Sequence, residues 1–273
     1  MLSKSLELRS LHSLRSVGMT LFWSLRSVGI TTLLAGLFAT GCVGQIDDEP
    51  LDDDEDPEVI VDPKDNNSAP GLVLDFTATW CVNCPRMATA IEEASRERPG
   101  KIFPVSIHFR DAFSYAESEA ICKDFGIAAY PSVVVNLDPS TLITATSKDL
   151  ILAKLDATAA GRKAPCTITG SVSGSSLTLS VTAAEEGSYR LGALLLEDGL
   201  VAPQTGGTDD YVHDNILRAV LSSTLSGDDL GTLDAGASAS KTYSFETTPG
   251  GSYHIVAYVT EGGTVNTVAS LSL

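Results

Sequence analysis

A chain of 273 residues exceeds one average domain and has room for two once any tail or targeting segment is set aside. Its hydrophobic fraction of 43% is that of a globular protein, and 12 Pro with 23 Gly point to many turns. A formal net charge of -17 excludes nucleic acid as a partner, because phosphate binding needs clustered Lys and Arg.

The first 29 residues carry Lys4, Arg9, Arg15 and Arg26 against one acid, Glu7. A short apolar stretch, Ile30 to Phe38, follows and is closed by small residues before Cys42. This order of basic, apolar and small-residue regions is that of a secretory signal peptide, and the apolar part is too short to span a membrane. Ala39-Thr40-Gly41-Cys42 resembles a bacterial lipobox, which implies a lipid on Cys42 as the first mature residue; a plain signal peptide is the alternative. "SLRSVG" occurs twice, at 13–18 and 24–29, and Met19 between the copies is a second candidate start. Cleavage before Cys42 removes a net three positive charges and takes the chain from -17 to -20.

The acids between Asp47 and Asp65 repel one another and offer nothing to a core, so residues 42–69 read as an extended tether. Such carboxylates on an open chain make only a weak calcium site. "CVGQIDDE" resembles the acidic export signals that follow the lipidated cysteine in some surface-displayed lipoproteins.

Beyond Pro70-Gly71 the pattern changes. Leu72–Thr77 has the length and apolarity of a strand buried on both faces. From Pro85 to Arg98, Met87, Ala90, Ile91 and Ala94 recur at helical spacing, and Pro99-Gly100 stops the helix. Ile102–Phe109 predicts a second strand, Tyr115–Phe125 a second helix, and Ser132 the start of a third strand. Leu142–Ala145 predicts a fourth strand and Lys148–Ala160 a closing helix. Alternating strands and helices predict an α/β domain over residues 70–163, a mixed sheet flanked by helices.

After "GRKAPC", short stretches with period-two alternation and many Thr, Ser and Val predict roughly seven strands. Residues 164–273 are expected to form an antiparallel β-sandwich of immunoglobulin type. The exception is "GGTDDYVHDNILRAVL", which reads as an inserted loop with a helical turn. Asp209, Asp210, His213, Asp214 and Asn215 are potential ligands there, but a loop packed at the domain interface, with His213 and Asp214 bonded locally, is the preferred reading.

Cys81 and Cys84 raise the question of metal, staple or redox exchange. A four-cysteine zinc site needs a second close pair, and Cys122 and Cys166 are isolated; a lone His108 in an apolar strand is more often core. No metal is therefore expected. Redox exchange needs a thiolate at a helix N-terminus and a second thiol one turn on. Cys81 sits just ahead of the predicted helix, Cys84 in its first turn, and Pro85 where a missing N–H costs nothing. Cys81 is the candidate nucleophile and Cys84 the resolving thiol. With Cys42 assigned to lipid, the even remainder suggests Cys122–Cys166 as a structural disulfide, a connectivity that sequence alone leaves open.

"LVLDFTATWCVNCP" resembles the active-site segment of thioredoxins, and "GIAAYPSVVV" that family's cis-proline segment; the match covers about Gly71 to Ala160. The resemblance implies that Asp75 assists proton transfer to the resolving cysteine, that Tyr130-Pro131 is cis, and that Trp80 and Pro131 form the docking rim. Val82-Asn83 replaces the common Gly-Pro, and Ser106 or His108 falls where the family carries a lysine. The resemblance therefore does not set the potential or the direction of electron flow. More widely, a lipoprotein signal, an acidic tether, "TATWCVNCPR" and a sandwich containing "YVHDNILRAV" resemble the Omp28 family of bacterial outer-membrane lipoproteins. That resemblance implies an outer-membrane anchor.

Two functions remain from different classes. One is a lipid-anchored envelope thiol–disulfide oxidoreductase acting on protein thiols or disulfides, with no soluble cofactor because the disulfide carries the electrons. The other is a surface binding or adhesion lipoprotein whose thioredoxin-like part is an inert scaffold.

Overall fold

The computed structural model describes residues 69–162 and 164–273; Cys42, the expected signal segment and all but the last tether residue lie outside these. β1 (Gly71–Thr77) is buried along its whole length because both of its faces are covered. On one face, Val73 meets α1 (Cys84–Glu97) and α3 (Lys148–Ala159) through Met87, Ile91, Ile151 and Leu155. On the other, Leu72, Leu74 and Phe76 meet Ile121 and Cys122 of α2 (Ser118–Asp124). β2 (Ile102–His108) pairs parallel with β1, as a strand–helix–strand crossover requires. β3 (Ser132–Val135) pairs antiparallel with β1, and β4 (Asp138–Ile143) antiparallel with β3. This is a mixed sheet flanked by helices.

Three local expectations shift. β4 begins four residues earlier than Leu142, because Asn136 and Leu137 both take positive φ and close a two-residue hairpin. The Asn136 side chain holds that turn, accepting from the Leu72 N–H at 2.9 Å and donating to the Thr158 hydroxyl at 2.7 Å. Pro139 is tolerated because β4 is an edge strand. α2 starts at Ser118 rather than near Tyr115, with no side-chain cap at Glu117 to extend it. The third change is larger. Residues 206–221 contain two strands, β9 (Tyr211–His213) and β10 (Ile216–Val220), instead of a helical turn.

β10 joins the two regions. Ile216 pairs parallel with Ser106 of β2, and β10 runs antiparallel to β7 (Gly187–Asp198). The Ser106 N–H donates to the Asn215 carbonyl at 2.7 Å and its hydroxyl to the Asp214 carbonyl at 3.0 Å. Arg218 fixes the strand from the side, with Nε 2.6 Å from Glu197. One sheet therefore runs through both regions in the order β14-β13-β7-β10-β2-β1-β3-β4, with β11 (Asp228–Leu233) also on β7. β13 (Ser252–Glu261) and β14 (Thr264–Ser272) complete it.

That sheet curls. β14 touches β1 and β2 although β13, β7 and β10 lie between β14 and β2 in the pairing order. Val256 and Tyr258 of β13 and Val265 and Val268 of β14 enter the same core as Leu72, Leu74 and Phe76. The alternate residues, Ile255, Ala257 and Val259, face a second core shared with Leu191, Ala193 and Leu195 of β7. A three-stranded sheet, β12 (Ser238–Ser244), β6 (Ser176–Thr182) and β5 (Thr167–Ser173), closes this second core. Strands buried on both faces explain the unbroken apolar runs of β7 and β13. The β-rich region has ten strands rather than seven, and its larger sheet is shared with the α/β region. Where β7 and β13 pair, Gly192 lies opposite Tyr258, and a Cβ on it would stand 2.2 Å from the ring.

Candidate functional site

β1 delivers the chain into a tight turn in which the Cys81 N–H donates to the Ala78 carbonyl at 3.1 Å. Cys84 opens α1, and the two cysteines form a disulfide with Cα atoms 5.4 Å apart. Asn83 makes no side-chain cap, no acid sits in the first turn, and Pro85 occupies it without an N–H. The Cys84 N–H is spent on the Cys81 carbonyl at 3.3 Å and the Arg86 N–H on the Asn83 carbonyl at 3.2 Å, so it is the positive end of the helix dipole that faces the cysteine pair. That environment stabilises a thiolate once the disulfide is opened.

An aromatic rim borders the turn. Trp80 is 48% exposed, donates its indole N–H to the Phe109 carbonyl at 3.0 Å, and meets Tyr130 edge-on at 5.5 Å. Tyr130 stacks on Phe109 at 5.1 Å and packs against Ala78, Cys81 and Cys84. The Tyr130-Pro131 peptide is cis, and Pro131 is buried.

Asp111, just beyond β2, latches this turn. One carboxylate oxygen accepts from the Thr79 N–H at 2.8 Å and lies 2.7 Å from Nδ1 of His108; the other accepts from the Phe113 N–H at 2.9 Å. Burial alone would raise this carboxyl, but His108 and the two backbone donors together hold it below its ordinary range. Asp111 carried no role in the sequence reading. The Asp-x-x-Ser turn pattern at Asp111–Ser114 was its one local signal.

Behind the disulfide lies a cavity of about 390 Å³. Asp75 and Cys84 line it from the α/β side, His108 from β2, and Tyr211 and His213 from β9. Asp75 is buried with Oδ1 unpartnered, and burial pushes its carboxyl up to about 7. Tyr211 is raised too, by burial and then by the Asp75 charge. His213 packs edge-on to His108 at 5.4 Å, Phe113 at 5.0 Å and Tyr211 at 4.8 Å. Burial first, and His108 second, lower its pKa from the ordinary 6.5. His213 thus lies on β9 and lines the cavity behind the disulfide, so the segment expected as a loop packed at the domain interface is a strand there. Asp214 accepts from the Gly199 N–H at 2.8 Å.

A strap between β8 (Leu200–Ala202) and β9 covers the other side of the turn. Gln204 is buried, and its Nε2 donates to the Ala78 carbonyl at 3.2 Å and the Cys81 carbonyl at 2.9 Å. The Thr205 N–H donates to the Thr79 carbonyl at 2.8 Å. Gly206, at φ +80, lies so close that a Cβ would stand 2.1 Å from the Val82 oxygen. With strap and rim in place, Cys81 is 4% exposed and Cys84 2%. No local pattern in "PQTGG" signals this contact.

The Cys122–Cys166 pairing is not formed. Cys122 lies in the core under β1, where it accepts from the Tyr130 hydroxyl at 3.3 Å, and Cys166 lies in the separate core of the β-rich region. Each thiol behaves as a small apolar side chain in its own core, which an even cysteine count does not reveal. Of Ser106 and His108, the two residues read against the family's lysine, Ser106 donates its hydroxyl to the Asp214 carbonyl between β9 and β10, and Nδ1 of His108 lies against Asp111. Among the described residues no three His, Cys, Asp or Glu side chains are grouped as a metal site requires, and no helix is long and apolar enough to cross a membrane.

Comparison with known proteins matches this arrangement in two overlapping parts. The thioredoxin family model matches residues 64–149. The model of the outer membrane protein Omp28 family matches residues 118–272, more than half of the chain. The chain belongs to the Omp28 family. The overlap of the two matches falls on residues whose strands share one sheet with the β-rich region. HBP35 of Porphyromonas gingivalis is similar in structure, with a TM-score of 0.55 and 21% identity over 76% of each chain. A protein of Agrobacterium tumefaciens gives a TM-score of 0.53 at 14% identity, over 76% of this chain and 94% of its own. At such identities the likeness is one of fold. No curated protein matches the chain.

Proposed function

We propose that this Omp28 chain is an envelope thiol–disulfide oxidoreductase held to the outer membrane by lipid on Cys42. Residues 1–41 are then the signal, and 42–69 the tether. Cys81 attacks, Cys84 resolves and Asp75 handles the proton, while Trp80 and Pro131 form the rim against which a protein thiol or disulfide docks. The β-rich half, read as an immunoglobulin-like sandwich joined edge-on to the redox fold, positions the strap and His213. The observation that carries this reading is the cysteine pair at an uncapped, acid-free helix N-terminus with a buried carboxyl behind it. A pair serving only as a staple has no need of either feature.

One observation favours the second reading, a binding lipoprotein with an inert scaffold: both sulfurs lie beneath the strap. The two readings separate on one experiment. The full chain in detergent is equilibrated across glutathione buffers, and peptide mapping after thiol trapping follows Cys81 and Cys84, with Cys81→Ser as control. Reversible titration within the range of exchange proteins, about -120 to -270 mV, is expected. A pair that stays oxidised throughout would leave the scaffold reading standing.

A further inference from the structure

Asp75 and His213 reach one cavity from distant parts of the chain, on β1 and β9. Each presents a buried polar atom with no hydrogen-bond partner, Oδ1 of Asp75 and Nε2 of His213. Buried polar atoms are ordinarily satisfied, and two orphans on the wall of one polar cavity call for water between them. At ~30 Å³ per water, a cavity of about 390 Å³ is roomy enough. Exposed Thr89, Glu92 and Asp214 also line it, so it opens to solvent.

The chemistry at Nε2 follows from the other ring nitrogen. His213 is bonded to the backbone of Ala202, an acceptor that favours the protonated ring; with Nε2 orphaned, that bond belongs to Nδ1. Nδ1 then carries the hydrogen, and Nε2 offers a lone pair. His108 is differently placed, because its Nδ1 is committed to Asp111.

We propose that His213 is the proton outlet of the redox site, exchanging protons between Asp75 and solvent through water in this cavity. The proposal rests on the oxidoreductase reading and adds a residue from the Omp28 region to it. In the resolving step, Cys81 is joined to a partner sulfur. Asp75 takes the proton of the Cys84 thiol, and the Cys84 sulfur attacks the Cys81 sulfur. The Cys81–Cys84 bond forms and the bond from Cys81 to the partner breaks. The electron pair leaves with the partner thiolate, which takes a proton from solvent. The dithiol is oxidised by two electrons and the partner disulfide is reduced. Asp75 then passes its proton through cavity water to Nε2 of His213, which releases it and restores the carboxylate. His213 acts through Asp75 and is a positioning residue.

The groups facing His213 suit a relay better than a store. Burial and His108 from β2 disfavour a lasting imidazolium, while Asp111 beyond β2 and Asp214 beyond β9 make a passing one tolerable. Asp75 on β1 and Tyr211 on β9 complete the titratable surroundings, with Cys84 and Glu92 on α1.

The test uses the full chain in detergent, with oxidised glutathione as probe. The collapse of the Cys81–glutathione mixed disulfide is followed by rapid quench from pH 6 to 9 in the parent and in His213→Gln. The variant should resolve about tenfold more slowly at pH 7, lose one titration from its pH profile, and recover in part with added imidazole. Its rate of first attack and its redox potential should match the parent. Profiles that superimpose would overturn the proposal and leave the oxidoreductase reading intact. A parent that forms no mixed disulfide would remove that reading and this inference with it. A second measurement needs no change at position 213. The ring ¹⁵N shifts of His213 in the parent should move as Asp75 titrates, and that movement should vanish in Asp75→Asn. Shifts identical in the two proteins would also overturn the relay.

Discussion

The side-chain amide of Gln204 donates to the Cys81 carbonyl at 2.9 Å, across 123 residues of chain. A second bond from the same nitrogen reaches the Ala78 carbonyl. One side chain from the β-rich half therefore closes the backbone of the cysteine turn. Loss of two such buried bonds costs on the order of 1–3 kcal/mol locally, enough to raise the population of an opened strap severalfold or more. In Gln204→Ala, reduction of the Cys81–Cys84 disulfide by dithiothreitol should accelerate about three- to tenfold, with Cys122 and Cys166 still protected from alkylation. An unchanged reduction rate would show that the strap does not limit access to the sulfurs.

Much of the α/β half was legible because its signals are local. β1, α1 and β2 follow from apolar periodicity, Pro85 in the first turn and Pro99-Gly100 after the helix. The cysteine pair could be placed at a helix start from those cues alone. What escaped was non-local. β10 is five residues long and joins β2 through one parallel bridge, Ile216 to Ser106, so nothing in "ILRAV" announces its partner. His213 could be singled out as an unusual residue, but its position beside His108 depends on that bridge. Leu137 at positive φ hid the β3–β4 hairpin, since a bulky residue there departs from the usual turn chemistry.

Asp75 makes stability depend on pH. Its carboxyl is pushed up to about 7 in the folded chain, against an ordinary 3.8. Between those values the folded protein keeps a proton that the unfolded chain has released. Stability from this group therefore falls as pH rises from about 4 to 7 and is lost above. The effect is on the order of 4 kcal/mol. His213, shifted down, works in the opposite sense below its ordinary 6.5. The readout is accordingly the difference between the oxidised parent and oxidised Asp75→Asn in urea unfolding at each pH. That difference should favour the variant increasingly up to about pH 7 and then level off. A difference that stays flat from pH 4 to 8 would mean that Asp75 titrates as an ordinary carboxylate.

Lipid attachment is tested at Cys42 itself. In cells fed labelled palmitate, the parent chain should incorporate label and fractionate with outer membranes, while Cys42→Ser should do neither. Label retained by the variant would place the lipid elsewhere. A parent without label would reduce the N-terminus to a plain signal peptide.

Gly192 tests the sheet that both halves share. It pairs with Tyr258 across β7 and β13, and the ring lies where a Cβ would be, at 2.2 Å. That ring is fully buried, and its hydroxyl bonds the Leu225 carbonyl. It cannot swing aside without leaving the core that also holds Leu74 and Phe76 of β1. Gly192→Ala should therefore cost about 1–3 kcal/mol by overpacking. Because the core is common to both halves, the loss should appear as a single earlier unfolding transition, reported alike by Trp80 fluorescence near the cysteine turn and by far-ultraviolet circular dichroism. Two separate transitions in the variant, with the Trp80 signal unmoved, would mean that the α/β half holds its fold independently of the β-rich strands packed against β1.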